Sequence, residues 1–271
     1  MPRNRKFRKL AVGQRGFSLV ELSIAILIAL FLLGGLVTLL MGTRRTNATQ
    51  SALGQLQDNE RIAMTLITNV VQKAGYFSDP VNQQLSSFPA ETIPSGLSLA
   101  SGQVLGGTYS AGGDTFVVRF FTPATDPYSS VINCAGQSNG AASSAPVANL
   151  WYTNIFQIGT YNGAQWLQCQ VQASGAPTVL VNLIPNVTKI SVLYGVASGA
   201  AGDDYTVLQY LNASQITTLN WPNVTAVKVT LTFQVPQYGS TSGQMLPSSA
   251  PNATTTITRV IPVMSRAGVN T

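Results

Sequence analysis

The first part of the chain is apolar on every side of the helix that it predicts. From Phe17 to about Met41 the sequence is almost free of polar residues, and roughly 20 apolar residues suffice for a helix to span a bilayer. Glu21 is the one acidic residue within this run. A charge there costs about 2.5 to 3.5 kcal/mol on insertion scales. The pattern therefore predicts a membrane helix whose carboxylate needs a partner.

Beyond Gly42 the apolar positions move to one side of the helix. They recur at spacings of three and four residues, which is typical of an amphipathic helix, and they are Leu53, Leu56, Ala63, Leu66, Ile67, Val70, Val71 and Ala74. Gly75 is a natural helix stop, and no Pro precedes it after Phe17. The sequence predicts one long helix, with a membrane and assembly part over residues 17–42 and an amphipathic continuation over residues 43–76.

From Phe77 onward, short β-rich runs alternate with Gly, Ser, Pro and Asn. Residues 77–113 and 122–148 hold few apolar side chains and are interpreted as surface loops. Alternation and β-branched residues predict eight strands, at residues 115–121, 150–158, 165–171, 178–183, 188–194, 205–210, 224–235 and 254–263. Pro262 restricts the last strand to an edge or a bulge. The chain is therefore predicted to be α+β, with a β-rich head over residues 77–271.

The net charge of +6 comes from the first 16 residues of the chain. Residues 1–16 contain six of the fifteen Lys and Arg and none of the nine acids, so nine basic and nine acidic side chains remain beyond them. A basic nucleic-acid-binding face is not supported, and no direct nucleic-acid binding is expected. Because the cations precede the apolar run, the positive-inside rule predicts a cytoplasmic N-terminus and an exported head.

The chain contains no His, which removes the commonest general base and metal ligand. A membrane-anchored hydrolase therefore lacks a nucleophile and base pair, and we expect no enzyme activity, no cofactor and no metal. Asp203 and Asp204 form an acidic pair in a Gly-rich stretch. A calcium ion takes six to eight oxygen ligands, so a solvated turn is the favoured interpretation of this pair.

Cys134 and Cys169 are the only cysteines. On the exported side of a membrane the default expectation is a disulfide, and two unpaired buried thiols are the alternative. Five aromatic residues lie in the predicted strands nearby, and core and sheet packing is favoured for them over a carbohydrate- or surface-binding platform. They are Trp151, Tyr152, Phe156, Tyr161 and Trp166.

The segment Gly16-Phe17-Ser18-Leu19-Val20-Glu21 resembles the class III signal of type IV prepilins and pseudopilins. The resemblance implies that a prepilin peptidase removes residues 1–16 by cutting between Gly16 and Phe17, and that Phe17 is then N-methylated. Glu21 matches the glutamate of the family signature. An ordinary secretory signal has a shorter apolar region followed by a small-residue cleavage site, whereas this run is followed by Gly42-Thr43-Arg44-Arg45.

The C-terminal strands resemble the PilW family of minor pilins. Residues 187–195 read V-x-x-I-x-V-x-Y-G and are followed by Trp221 and by the strand 224–231. The resemblance implies a pilin-like fold, in which the second part of the helix packs on an antiparallel sheet. It also implies a role in initiating pilus assembly within the tip complex.

The implied partners are other minor pilins, the major pilin, the prepilin peptidase and the inner-membrane assembly platform. The chain is expected in the bacterial inner membrane before assembly and in the pilus, at its tip, afterwards. A type II secretion minor pseudopilin and a pilus-associated adhesin with ligand-binding head loops are the alternatives.

Glu21 gains a specific role from this resemblance. The free amine of Phe17 in one subunit would pair with the carboxylate of Glu21 in a neighbour, so that the pair sets the axial register of packed helices. Two paired buried charges cost less than one unpaired charge. The alternative is a Glu21 that lies in the headgroup layer and stays hydrated.

Overall fold

The computed structural model describes residues 16, 18–123, 131–140, 147–173, 178–199, 206–235 and 253–266. Phe17, Asp203 and Asp204 therefore lie outside the described residues. The chain divides into two compact units, Met1–Gln50 and Ser51–Thr271. Each unit is described by itself.

One helix, α1, runs without interruption over Leu19–Gln72, as the absence of Pro predicts. Residues 73–75 form a turn after the helix, and Gly75 has a φ of 70°. This left-handed conformation is one that Gly adopts readily. The Gly75 amide donates a hydrogen bond of 2.9 Å to the carbonyl oxygen of Arg119. Gly75 thus ends the helical segment and starts its connection to the sheet.

The β-rich head contains two main antiparallel sheets. The five-stranded sheet has the order β3-β4-β5-β6-β7, with β3 Leu105–Thr108, β4 Thr115–Phe121, β5 Trp151–Tyr161, β6 Ala164–Ala173 and β7 Val179–Pro185. The four-stranded sheet has the order β11-β10-β8-β9, with β8 Val187–Val196, β9 Gln209–Leu211, β10 Val224–Gln234 and β11 Thr254–Pro262. The α+β fold class is confirmed, and β11 with Pro262 lies at a sheet edge as predicted.

The chain changes sheet at Asn186, between β7 and β8. Asn186 has a φ of 62°, a conformation that Asn tolerates better than most residues. Its amide donates to the Gln165 carbonyl in one sheet, and its carbonyl accepts from the Gln234 amide near the other. The single sheet of the prediction is therefore two sheets, because one residue of positive φ redirects the strand.

The two sheets and the second part of α1 share one hydrophobic core. Seven of the eight predicted helix positions are at least partly buried, whereas Leu53 is 42% exposed. Leu53 was predicted wrongly because the buried positions of the helix include Ala52 and Met64 instead. Because Ala52 and Met64 are buried, the buried face of the helix is rotated slightly from the face that the predicted positions define.

Residues 77–113 are more ordered than the predicted surface loop. They contain β3 and a small hairpin of β1, Glu91–Thr92, and β2, Ser98–Leu99. Ile93 and Leu99 of this hairpin pack on Val117 and Ile155 of the five-stranded sheet. Ile93 and Leu99 are thus buried against the sheet, so a low apolar content did not mean a free loop.

The same hairpin covers a buried ion pair. Arg119 is fully buried, and its Nη2 lies 3.3 Å from Oε2 of Glu91. The same carboxylate oxygen accepts a hydrogen bond of 2.8 Å from the Thr153 hydroxyl. Desolvation lowers the pKa of Arg119, and the neighbouring Glu91 partly opposes that shift. The contact ties β1 to β4 and β5 beneath the hairpin.

Tyr194 on β8 joins the two sheets. Its hydroxyl donates a hydrogen bond of 3.0 Å to the carbonyl oxygen of Gly106 on β3. Gly107 has no side chain at the point where the Tyr194 hydroxyl lies, and a Cβ there would overlap it. Asp114 reinforces the junction by accepting the Val192 amide at 2.7 Å. Burial, with a smaller contribution from Asp114, raises the pKa of Tyr194.

Replacing the Tyr194 hydroxyl should destabilise the fold at neutral pH. We expect Tyr194→Phe to lower the free energy of unfolding by about 1 kcal/mol, because the Gly106 carbonyl loses its donor. Denaturant unfolding followed by tryptophan fluorescence measures this change. Tyr210→Phe is the matched control, since Tyr210 is 39% exposed. Equal stabilities for the two variants would contradict the role of the hydroxyl at the junction.

Alkaline pH should separate the wild type from Tyr194→Phe. A tyrosine whose pKa is raised by folding contributes stability that is complete below the unfolded value of about 10 and is lost as the pH rises above it. We expect the unfolding free energy of the wild type to fall more steeply above about pH 10 than that of Tyr194→Phe. Parallel pH profiles would show that Tyr194 does not titrate differently in the folded state.

Candidate functional site

The first unit presents an apolar helix surface. Large apolar side chains in this part of α1 are widely exposed, including Leu19 and Phe31 at 81% each and Leu39 at 72%. α1 is the one helix among the described residues that is long and apolar enough to cross a membrane. Exposed apolar surface on this scale marks a membrane-embedded or helix-packing segment.

Hydroxyl groups do not make this helix polar. Each hydroxyl donates a hydrogen bond of 2.7 to 3.1 Å to the backbone carbonyl three or four residues earlier. The residues with these hydroxyls are Ser23, Thr38, Thr43, Thr46 and Thr49. Such back-bonding satisfies the hydroxyl inside its own helix. The segment can therefore enter an apolar environment without leaving these donors unpaired.

Glu21 takes part in the N-terminal cap of α1. The helix begins at Leu19, so Ser18 is the N-cap and Glu21 is the third helical residue. The Ser18 amide donates a hydrogen bond of 3.1 Å to Oε2 of Glu21, which is half of a capping box. The S-x-x-E spacing was present in the sequence, but the cap was not inferred from it. No Lys or Arg lies within ion-pair distance of Glu21 among the described residues.

Of the two predicted processing residues, the structure describes Gly16. Gly16 is exposed and non-helical. Phe17 lies outside the described residues, so the predicted cut and its N-methylation stay predictions. Glu21 is also exposed. The carboxylate thus lies on the surface of the helix, where another helix can reach it.

Cys134 and Cys169 form a disulfide, as predicted, with a Cα–Cα distance of 6.0 Å. The Cys134 amide also donates to Oδ1 of Asn154 at 2.8 Å. Asn154 in turn donates from Nδ2 to the Val118 carbonyl at 3.2 Å. Residues 131–140 are therefore fixed to β5 and β6 by a covalent bond and by a buried amide.

The V-x-x-I-x-V-x-Y-G strand is explained by burial on β8. Val187, Ile190, Val192 and Tyr194 are all buried in the shared core. Trp221 packs edge-on against the Tyr194 ring, with a centroid distance of 4.8 Å. A Cβ at Gly195 would lie 2.8 Å from Val207. The motif residues therefore determine how β8 contacts β3, Val207 and Trp221.

The five aromatic residues divide into two groups. Tyr152 and Phe156 are fully buried and Trp151 is half-buried against the core, as predicted. Tyr161 is 47% exposed and contacts Trp166 edge-on, with the ring centroids 5.8 Å apart. This last pair therefore packs on the sheet and is not part of the core. No cluster of His, Cys, Asp and Glu suited to a metal ion occurs in the described part of the chain.

Comparison with known proteins adds to this geometry. Residues 12–37 match the model of the prokaryotic N-terminal methylation motif, and residues 155–262 match the model of the type IV pilus-assembly protein W. A type IV-like pilin from Thermus thermophilus has a TM-score of 0.42 and 15% identity, covering 79% of this chain and 97% of that chain. No curated protein matches the chain.

The helix, its N-terminal motif and the antiparallel sheets define a type IV pilin. Within that class, the match over residues 155–262 supports a type IV pilus minor pilin similar to the PilW family. A minor pilin contacts other pilins and the assembly machinery, and the motif with its apolar helix indicates membrane anchoring and pilus association.

The disulfide should be a major source of stability. We expect the double variant Cys134→Ala with Cys169→Ala to lower the free energy of unfolding by about 3 to 4 kcal/mol, because a loop of this length loses its cross-link in the unfolded state. Denaturant unfolding measures the loss. A reductant should shift the wild type towards the variant and leave the variant unchanged. A wild type that is insensitive to reductant would contradict this contribution.

Proposed function

We propose that this minor pilin acts in the complex that initiates pilus assembly at the tip, through pairing of Glu21 with the Phe17 amine of a neighbouring subunit. The observation that carries the proposal is an exposed carboxylate at the start of an exposed apolar helix. The proposal assigns assembly, and not catalysis, to the chain.

Charge explains why the carboxylate would need a partner. A lone ion within a membrane segment costs about 2.5 to 3.5 kcal/mol on insertion scales. The hydrogen bond from the Ser18 amide offsets part of that cost, but it brings no opposite charge. The amine created by a cut before Phe17 would supply one positive charge to each subunit that has been processed.

Pairing between subunits also defines a register. Removing one member of a buried ion pair leaves an uncompensated charge and costs about 3 to 5 kcal/mol. Helices that pack one step out of register would leave both charges unpaired. Glu21 would therefore select the axial position at which a subunit docks, while the head selects its neighbours.

The topology follows the distribution of charge. Residues 1–16 contain only basic ionisable side chains, so this end would remain in the cytoplasm before processing. The disulfide fits a head that folds in the periplasm, where disulfides persist. Proposed partners are other minor pilins, the major pilin, the inner-membrane platform and the prepilin peptidase.

Two substitutions of Glu21 separate pairing from capping. Gln can accept the Ser18 amide in a capping box but has no charge, whereas Ala can do neither. We expect both Glu21→Ala and Glu21→Gln to reduce the number of pili per cell at least about tenfold. A tenfold change in an equilibrium constant corresponds to a loss of about 1.4 kcal/mol of docking free energy. Electron microscopy of pili measures this number.

Controls make the comparison specific. Ser18→Ala alters the cap side chain but keeps the backbone donor, and we expect it to form pili at the wild-type level. Membrane levels and N-terminal processing of each variant are checked by immunoblot and mass spectrometry. Normal piliation in Glu21→Gln with loss in Glu21→Ala would identify capping, and not pairing, as the role of Glu21. Normal pilus number with less of this subunit per pilus would contradict the initiating role.

A further inference from the structure

Three consecutive strands of the five-stranded sheet contain no charged residue. β5, β6 and β7 together lack Asp, Glu, Lys and Arg. Strands that face water on one side commonly have polar and charged residues there. Here the polarity of the exposed face comes from neutral amides and aromatic rings.

The strand register places these amides on one face. Gln157 on β5 pairs with Gln168 on β6, and Gln168 pairs with Asn182 on β7. Gln170 and Gln172 lie on the same side of β6 because side chains alternate along a strand. We call these five side chains the amide face. Paired residues on neighbouring strands lie about 5 Å apart, so the face spans three strands.

Part of the amide face is preorganised. Nε2 of Gln168 donates to Oδ1 of Asn182 at 2.8 Å. Gly159 leaves space for the Gln168 amide, because a Cβ at this position would overlap it. Gln168 is buried, so it forms a fixed floor between its neighbours. The polar floor is thus held by packing and by a hydrogen bond.

Other amides of the face are available to a ligand. Gln157 and Gln170 are both partly exposed. In the described part of the chain, neither side chain has a hydrogen-bond partner. Each primary amide offers two donor hydrogens and one acceptor oxygen. The face can therefore donate and accept hydrogen bonds without any charge.

Aromatic rings border one end of the amide face. Trp166 pairs with Gly159 and so lies on the same side of the sheet as Gln168. Tyr161 contacts Trp166 edge-on and is 47% exposed. Leu180 on β7 pairs with Gln170 and is 54% exposed. Apolar contact surface therefore adjoins free amides.

We propose that this amide face, with Tyr161 and Trp166 at its border, binds a neutral oligosaccharide chain. Sugar hydroxyls donate and accept hydrogen bonds as primary amides do, and the C–H faces of the rings pack on aromatic side chains. A ligand with charged groups would find no counter-ion on these strands. The site lies on the sheet beside the β1–β2 hairpin, whose Ile93 and Leu99 cover Ile155, the residue paired with Gln170.

A protein partner fits the face less well. Cores of protein interfaces are enriched in Met and Arg, as well as in aromatic residues such as Tyr161 and Trp166, and they bury apolar surface. The amide face instead offers several uncharged hydrogen-bonding groups and no Met or Arg. A neutral sugar is therefore the occupant to which its chemistry corresponds, and a protein contact becomes an outcome of the test.

The test uses the full chain in phospholipid nanodiscs, without glycoside detergents whose headgroups are themselves sugars. Cellohexaose, chitohexaose and maltohexaose are titrated by calorimetry, with a heparin hexasaccharide as the anionic comparison. We expect saturable binding of at least one neutral probe at micromolar to millimolar concentration, and weaker binding of the anionic probe.

Matched variants locate the site. Gln170→Ala should weaken binding about tenfold, whereas Gln165→Ala should leave it unchanged, because Gln165 lies on β6 with the opposite alternation. Tyr161→Ala should weaken binding to a similar extent, and Tyr210→Ala, on the other sheet, should not. Circular dichroism verifies the fold of each variant.

Several outcomes would overturn the proposal. They are no binding of any neutral probe at millimolar concentration, tighter binding of the heparin probe, or equal affinities for all variants. Self-association of the chain that is lost in Tyr161→Ala, without sugar binding, would reassign the face to a protein contact. These measurements require no pili, so their result is independent of the role of Glu21.

Discussion

The head depends on one hydrophobic core that the second part of α1 shares with both sheets. A helix stripe of this kind is stable in water only when something covers it. Strands β4 to β6 and strands β8 and β10 supply residues to that same core. The position of each sheet is therefore set by its contact with one common apolar interior.

Buried polar side chains connect the parts of the head that surround this core. Tyr194 and Asp114 connect the sheets through backbone groups, and Asn154 holds the segment that contains Cys134. Each is buried and hydrogen-bonded, so each specifies one arrangement of neighbouring strands. A chain with only 9% charged residues thus obtains much of its specificity from neutral side chains and a single carboxylate.

The long helix and seven of the eight proposed strands could be predicted from the sequence because their apolar periodicity is strong. The short strands β1 and β2 were missed, since burial of their hairpin depends on Val117 and Ile155 from elsewhere in the chain. Strand β3 was also missed, and its Leu105 is buried in the shared core. The division into two sheets was also missed, because it depends on the positive φ of Asn186. A strand was predicted at residues 205–210, but residues 206–208 are not in a strand, and β9, Gln209–Leu211, pairs with just the end of β8. The disulfide was predictable from compartment and cysteine count, whereas the Glu21 cap had a readable signal that was overlooked.

The Ser18–Glu21 hydrogen bond has a consequence for processing. Both of its partners lie on the C-terminal side of Gly16, so a cut before Phe17 would leave the bond intact. The start of the helix would not need to refold when the leader departs. Maturation would then be an electrostatic event, in which a preformed helix exchanges a basic extension for a single terminal ammonium group while its backbone stays the same.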